Sequence, residues 1–211
     1  MDPSENSAPN PLSFGRNYAI LNLDLMTILI DAVKDTAEGQ AFISTCSHWN
    51  DAVHKKEPRP LVIFTTLFFN PGQPELTKTA PFGKLVDGFN TFAAGSPEVQ
   101  IASSFTVDEK DIVLQKTRWY AGAGNSLEQI LKSQNINIVI LSGLSLSGVV
   151  MSTVYRLFDL DYNIYVISDN VLELPSQQNR EYREVMLGSL LPKMHLKVIT
   201  LDEALQRLER S

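Results

Sequence analysis

Two side chains stand where an enzyme would place an acid and a base. Asp24 follows the apolar run Tyr18–Leu23 (YAILNL), and Lys116 follows a second apolar run within VLQKTRWYAG. A carboxylate at the end of a buried strand is costly unless it is paired or used. A third stretch, Ser142-Gly143 and the following residues (SGLSLSGVV), reads as a glycine turn leading into a helix. Such a helix start offers backbone N–H groups and a positive dipole end to an anion or a developing oxyanion. Singly, Asp24 could cap a helix and Lys116 could be a surface charge at a strand exit. Placed together at the ends of adjacent strands, they would attract each other and form a reaction site.

Nucleophilic chemistry has a poor candidate. The single cysteine, Cys46, lies in the helical stretch AFISTCSHWNDAV and reads as a small apolar packing residue. One cysteine allows neither an intrachain disulfide nor a multi-cysteine metal site. His48, His54 and His195 are scattered, so no metal is expected.

The elements that must position these residues are legible as short apolar runs. They are Tyr18–Leu23, Leu61–Leu67 (LVIFTTL), 112–115 (IVLQ), 136–141 (INIVIL), 164–167 (IYVI) and 196–199 (LKVI). Runs of this length, β-branched-rich and apolar on both faces, read as strands covered on both sides. Helical spacing occupies 37–56, 125–134 and 147–160, with Asn125 and Glu128 resembling a capping box. The alternation predicts a three-layer α/β/α fold with a mainly parallel, Rossmann-like sheet of five or six strands. Ligands of such sheets bind beyond the C-terminal strand ends, where the strand order reverses. The stretch 68–110 is Phe-, Gly- and Pro-rich and too long for an ordinary loop. Its Phe68, Phe69, Phe82 and Phe89, with Phe92 three residues further on, either pack beneath the loop or line an apolar pocket.

Composition narrows the function classes. The chain has 211 residues, a hydrophobic fraction of 44% and a formal net charge of -6, with basic residues scattered. A nucleic-acid footprint would need a basic patch. No apolar run approaches the roughly 20 residues of a membrane span. Residues 1–16 read as a flexible lead-in without a secretory pattern, and 17–211 as one domain. A cytoplasmic protein is the default expectation.

The order of these motifs resembles the isochorismatase-like hydrolases, or cysteine hydrolase superfamily. The resemblance is carried by Leu23-Asp24-Leu25-Met26, by Lys116-Thr117-Arg118-Trp119-Tyr120-Ala121, and by Gly143-Leu144-Ser145-Leu146-Ser147-Gly148-Val149-Val150. The stretch 153–169 (TVYRLFDLDYNIYVISD) adds the family's helix, turn and strand ending in Asp, so the match runs over about residues 17–205. It implies that the family's nucleophilic cysteine falls on Val149, which cannot attack a carbonyl. It also implies a non-proline cis peptide at Leu144–Ser145. Met26, Thr27 and Ile28 stand where polar residues are common, implying a more apolar pocket.

By that resemblance Asp24 is a candidate general acid or base. Lys116 would set its protonation or bind a substrate carboxylate. Met26, Phe68, Trp119, Tyr120, Leu144, Ser145 and Val149 are the candidate substrate contacts. The expected activity is hydrolysis, elimination or isomerisation of a small, fairly apolar or aromatic metabolite, without a thiol. The alternative is an inactive relative that binds a ligand or partner. A small-molecule substrate, no cofactor, no nucleic acid, no membrane and, by resemblance, a homo-oligomer complete the expectation.

Overall fold

The computed structural model describes residues 12–87 and 92–211. Its strands are β1 (Tyr18–Leu23), β2 (Leu61–Leu67), β3 (Ile112–Lys116), β4 (Ile138–Leu144), β5 (Asn163–Leu172) and β6 (Lys197–Ile199). They form one six-stranded sheet in the order β3-β2-β1-β4-β5-β6, and every neighbouring pair is parallel. The order reverses between β1 and β4, which makes their C-terminal ends the place for a ligand.

The α-helices are α1 (Thr27–Asp31), α2 (Ala37–His54), α3 (Pro81–Asp87), α4 (Leu127–Ser133), α5 (Met151–Phe158), α6 (Asn179–Val185), α7 (Leu191–Lys193) and α8 (Leu201–Glu209). The period-2 alternation of a strand sends successive side chains to opposite faces. Ile20 of β1 joins one core with Phe42, Trp49 and Val53 of α2 and Ala204 of α8. Its neighbours Ala19 and Leu21 join the other, with Leu131 of α4, Val154 of α5 and Leu191 of α7. Both faces of the sheet are therefore covered, as the unbroken apolar runs required. No helix among the described residues is long and apolar enough to cross a membrane.

Several boundaries differ from those the sequence suggested, and each difference has a physical reason. Ser142-Gly143 is not a turn: β4 continues through Leu144, because Gly143 still pairs with Leu23 of β1. β5 runs on past Asp169 to Leu172, absorbing an irregularity in its pairing with β4. Asn125 lies outside α4. Its Oδ1 accepts from the Leu127 N–H at 3.0 Å, while Glu128 is drawn off to Tyr120 and Arg156. The described part of stretch 68–110 is built rather than loose, with α3, a 3-10 turn at Pro97–Val99, and bridges from Phe69 to Ala93 and from Met26 to Ile101.

The last residues of the expected lead-in are also packed. Phe14 is fully buried and meets Trp49 and Tyr165 edge-on at centroid distances of 6.4 and 5.2 Å. Residues 1–11, and Phe89 of the Phe-rich stretch, lie outside the described residues.

Gly143 lets the two central strands meet at the switch point. A Cβ there would lie 2.6 Å from both the carbonyl oxygen and the Cβ of Leu23, the residue before Asp24. Gly143→Ala is expected to destabilise the fold by about 1–3 kcal/mol through overpacking. Chemical denaturation checks this; an unchanged midpoint would contradict it.

Candidate active site

Asp24 leaves β1 in the left-handed region, at φ 55°, a conformation that Asp tolerates better than most residues. Its N–H is 3.2 Å from both the carbonyl oxygen and Oγ1 of Thr65 on β2. The Thr65 hydroxyl donates to Asp24 Oδ1 at 2.8 Å. Lys116 Nζ lies 2.7 Å from Asp24 Oδ2, and the lysine side chain is wholly buried. The strands carrying the pair are not adjacent, contrary to expectation, because β2 lies between β1 and β3. Two interstrand spacings amount to about 9.6 Å, so a long side chain is needed to reach over the end of β2.

Lys116 Nζ also donates to the carbonyl oxygens of Arg118 at 2.8 Å and Trp119 at 3.2 Å. With Asp24 these make three acceptors, matching the three protons of an ammonium group. No proton is left to hold a substrate carboxylate.

Burial works against both charges. It pushes the Asp24 carboxyl above its ordinary range, and the pull of Lys116 and the Thr65 hydroxyl only partly offsets this. It pushes the Lys116 ammonium below its ordinary range, with Asp24 opposing. The stability consequences follow from these directions. The Asp24 contribution is present below the unfolded carboxylate pKa and is lost as pH rises through the folded one. The Lys116 contribution is present above the unfolded ammonium pKa and is lost as pH falls through the folded one.

A cavity of about 230 Å³ opens over this pair. Asp24, Leu144, Ser145, Ser147 and Val149 line it from the strand ends and the helix start, and Leu29, Leu67, Leu85, Val86 and Phe92 form an apolar wall. Trp119, Glu173, Leu174 and Tyr182 complete it. The Leu144–Ser145 peptide is cis. After it, Leu146–Val150 forms a π-helical turn that runs into α5. Gly148 brings this turn under the pocket wall, since a Cβ would meet Ser145 Oγ at 2.6 Å and the Trp119 indole at 3.1 Å. A larger groove of about 600 Å³ lies at the opposite, N-terminal ends of β4, β5 and β6, away from Asp24 and Lys116.

Of the residues singled out in the sequence, Asp24, Trp119, Leu144, Ser145 and Val149 line the cavity, and Lys116 sits beneath it on Asp24. Besides Lys116, three others do not line it. Met26 is fully buried and its Sδ accepts from the Leu67 N–H at 3.0 Å. Phe68 packs against the core on the α2 face. The Tyr120 hydroxyl donates to Glu128 at 2.7 Å. Cys46 is buried in α2 and absent from the cavity lining. Among the described residues no group of three His, Cys, Asp or Glu side chains could hold a metal ion.

Sequence reasoning missed Glu173 altogether. It is 2% exposed, and its Oε2 accepts from the Ser147 N–H at 2.7 Å while Oε1 accepts from the Leu174 N–H at 2.9 Å. The helix start expected to receive an outside anion is thus met by a carboxylate of the chain itself. A strand believed to end near Asp169 gave no reason to look further along.

The family model for the isochorismatase domain matches residues 18–202. No curated protein matches the chain in sequence. Among solved structures, the chain is similar to an isochorismatase family protein from Burkholderia thailandensis, with 20% identity, 93% of this chain and 98% of that one covered, and a TM-score of 0.75. It is also similar to a cysteine hydrolase from Pseudomonas syringae pv. phaseolicola, with 14% identity, coverage of 95% and 94%, and a TM-score of 0.80. An N-carbamoylsarcosine amidase from Thermoplasma acidophilum matches at 18% identity, covering 89% and 98%, with a TM-score of 0.69. At such identities the likeness concerns the fold.

The pair's electrostatics generate a stability prediction. Lys116→Met leaves a buried carboxylate without its cation and should cost about 3–5 kcal/mol. Adding Asp24→Asn removes the stranded charge, keeps an acceptor for Thr65, and should recover most of that loss. Denaturant titration of the full mutant cycle measures this. Simple additivity of two losses would contradict it.

Proposed function

The chain belongs to the isochorismatase family, and we propose that it is a member working by proton transfer, without a covalent intermediate. The observation that carries this is the buried Asp24–Lys116 pair at the floor of an apolar cavity. A buried ion pair is weak evidence for stability, since apolar residues of like volume often do as well or better. Its placement at a strand-end pocket is better explained by use.

Both hydrogen bonds that Asp24 accepts, from Lys116 and from Thr65, favour the carboxylate form at rest. Burial makes that carboxylate a stronger base than an exposed one. Asp24 would take a proton from a substrate carbon or from an attacking water, and then, as the neutral acid, return it to a leaving group or product atom. The Lys116 ammonium would hold the carboxyl in place and balance its charge between those steps. Elimination, isomerisation and hydrolysis all fit this cycle. Val149 gives the pocket an apolar patch where the resemblance puts the family's thiol, which favours a small apolar or aromatic substrate and a mechanism without acyl transfer.

Three measurements bear on this. Asp24→Asn should lower turnover of the substrate by about 10²–10⁴-fold while near-ultraviolet circular dichroism stays native; undiminished turnover would exclude Asp24 as the proton carrier. In the wild type, kcat/KM should rise with pH through the raised Asp24 midpoint and fall as Lys116 loses its proton below the usual ammonium range. A flat profile across both limbs would contradict the assignment. Val149→Cys should be alkylated by iodoacetamide from the pocket. Wild-type Cys46, buried and with its thiol pushed well above its ordinary pKa, should resist. Equal labelling of the two proteins would show that position 149 does not face the reacting space.

A further inference from the structure

The charges around the cavity do not balance. Asp24 is matched by Lys116. Glu173 is not matched: among the described residues no Lys, Arg or His side chain pairs with it, and no basic side chain lines the cavity. Its two oxygens accept one backbone N–H each, from Ser147 and Leu174, and a carboxylate has further lone pairs to give. A buried carboxylate facing an apolar cavity without a counter-charge is costly. A bound cation would offset that cost.

We infer that the cavity selects a small organic cation, an ammonium group on an apolar or aromatic frame, with Glu173 as its counter-charge. The rest of the lining suits such a ligand. Trp119, Tyr182 and Phe92 bring aromatic rings to the same space, and aromatic faces attract cations, most strongly when water is excluded. The volume of about 230 Å³ holds a compact ligand rather than a drug-sized one. Anions are disfavoured twice over. The Ser147 N–H is already taken by Glu173, and the Lys116 protons are taken by Asp24, Arg118 and Trp119.

This substrate class rests on the pocket being the reaction site, but binding can be read without turnover. Benzylammonium, benzyl alcohol and benzoate share a frame and differ in charge at neutral pH. Calorimetric titration of the wild type should show benzylammonium binding about tenfold or more tighter than benzyl alcohol, with benzoate weakest. Glu173→Gln, close in shape although its amide nitrogen cannot accept a backbone N–H, should erase the preference for benzylammonium while benzyl alcohol still binds, which reports a formed pocket. The wild-type order stands as a test by itself should the variant fold poorly. Benzoate binding as tightly as benzylammonium, a preference that survives Glu173→Gln, or binding of none of the three would overturn the inference. None of those results touches the role of Asp24, which turnover by Asp24→Asn tests separately.

Discussion

The constraint on which the site depends is the burial of one carboxylate and one ammonium together, away from water. Neither group is held there cheaply, and the surrounding structure serves to make the pairing complete. Asp24 turns out of β1 in a left-handed conformation, and Thr65 on the intervening strand takes up one carboxylate oxygen. Lys116 reaches over that strand to the other oxygen and finds two more acceptors in the turn that follows it. Parallel strands with both faces covered are what allow such an arrangement, because their ends are rigid and shielded. The pair and the Thr65 hydroxyl draw on three strands at once, so each strand must be in register for the pair to form.

The fold was legible because its signal is local. Apolar runs of strand length alternating with helical spacing leave little choice but a covered parallel sheet, and the family match over residues 18–202 agrees with the architecture. Asp24 and Lys116 were legible for a related reason: each is a charge placed directly at the end of an apolar run. The strand order was not legible. The pair was expected on neighbouring strands, yet β2 lies between them, and Thr65 on it bonds to Asp24. Nothing in LVIFTTL distinguishes Thr65 from any other strand threonine.

The remaining cavity residues were hidden by their distance along the chain. Leu85, Val86 and Phe92 come from the Phe-rich stretch, whose bridges to Phe69 and Met26 fold it against the pocket. Both expectations for that stretch are met by different residues, since Phe69 packs in the core and Phe92 lines the cavity. Glu173 was hidden by an extension of β5 that polar residues 168–170 disguised as a strand end. Met26, Phe68 and Tyr120 were expected in the pocket by the family resemblance. All three lie just beyond the strand ends, where the chain carries them into the core or toward Glu128. A family resemblance is a poor guide to side-chain direction where the chain leaves a regular strand, because no fixed period then governs it.

The account stands or falls on the proton affinity of Asp24. Carbon-13 labelling of aspartate, with the Asp24 resonance assigned by its loss in Asp24→Asn, allows its carboxyl to be titrated directly by NMR. A midpoint above the ordinary value of 3.8 is predicted, because burial outweighs the pull of Lys116 and Thr65. A midpoint at or below 3.8 would make Asp24 an ordinary ion-pair partner and contradict its use as the base.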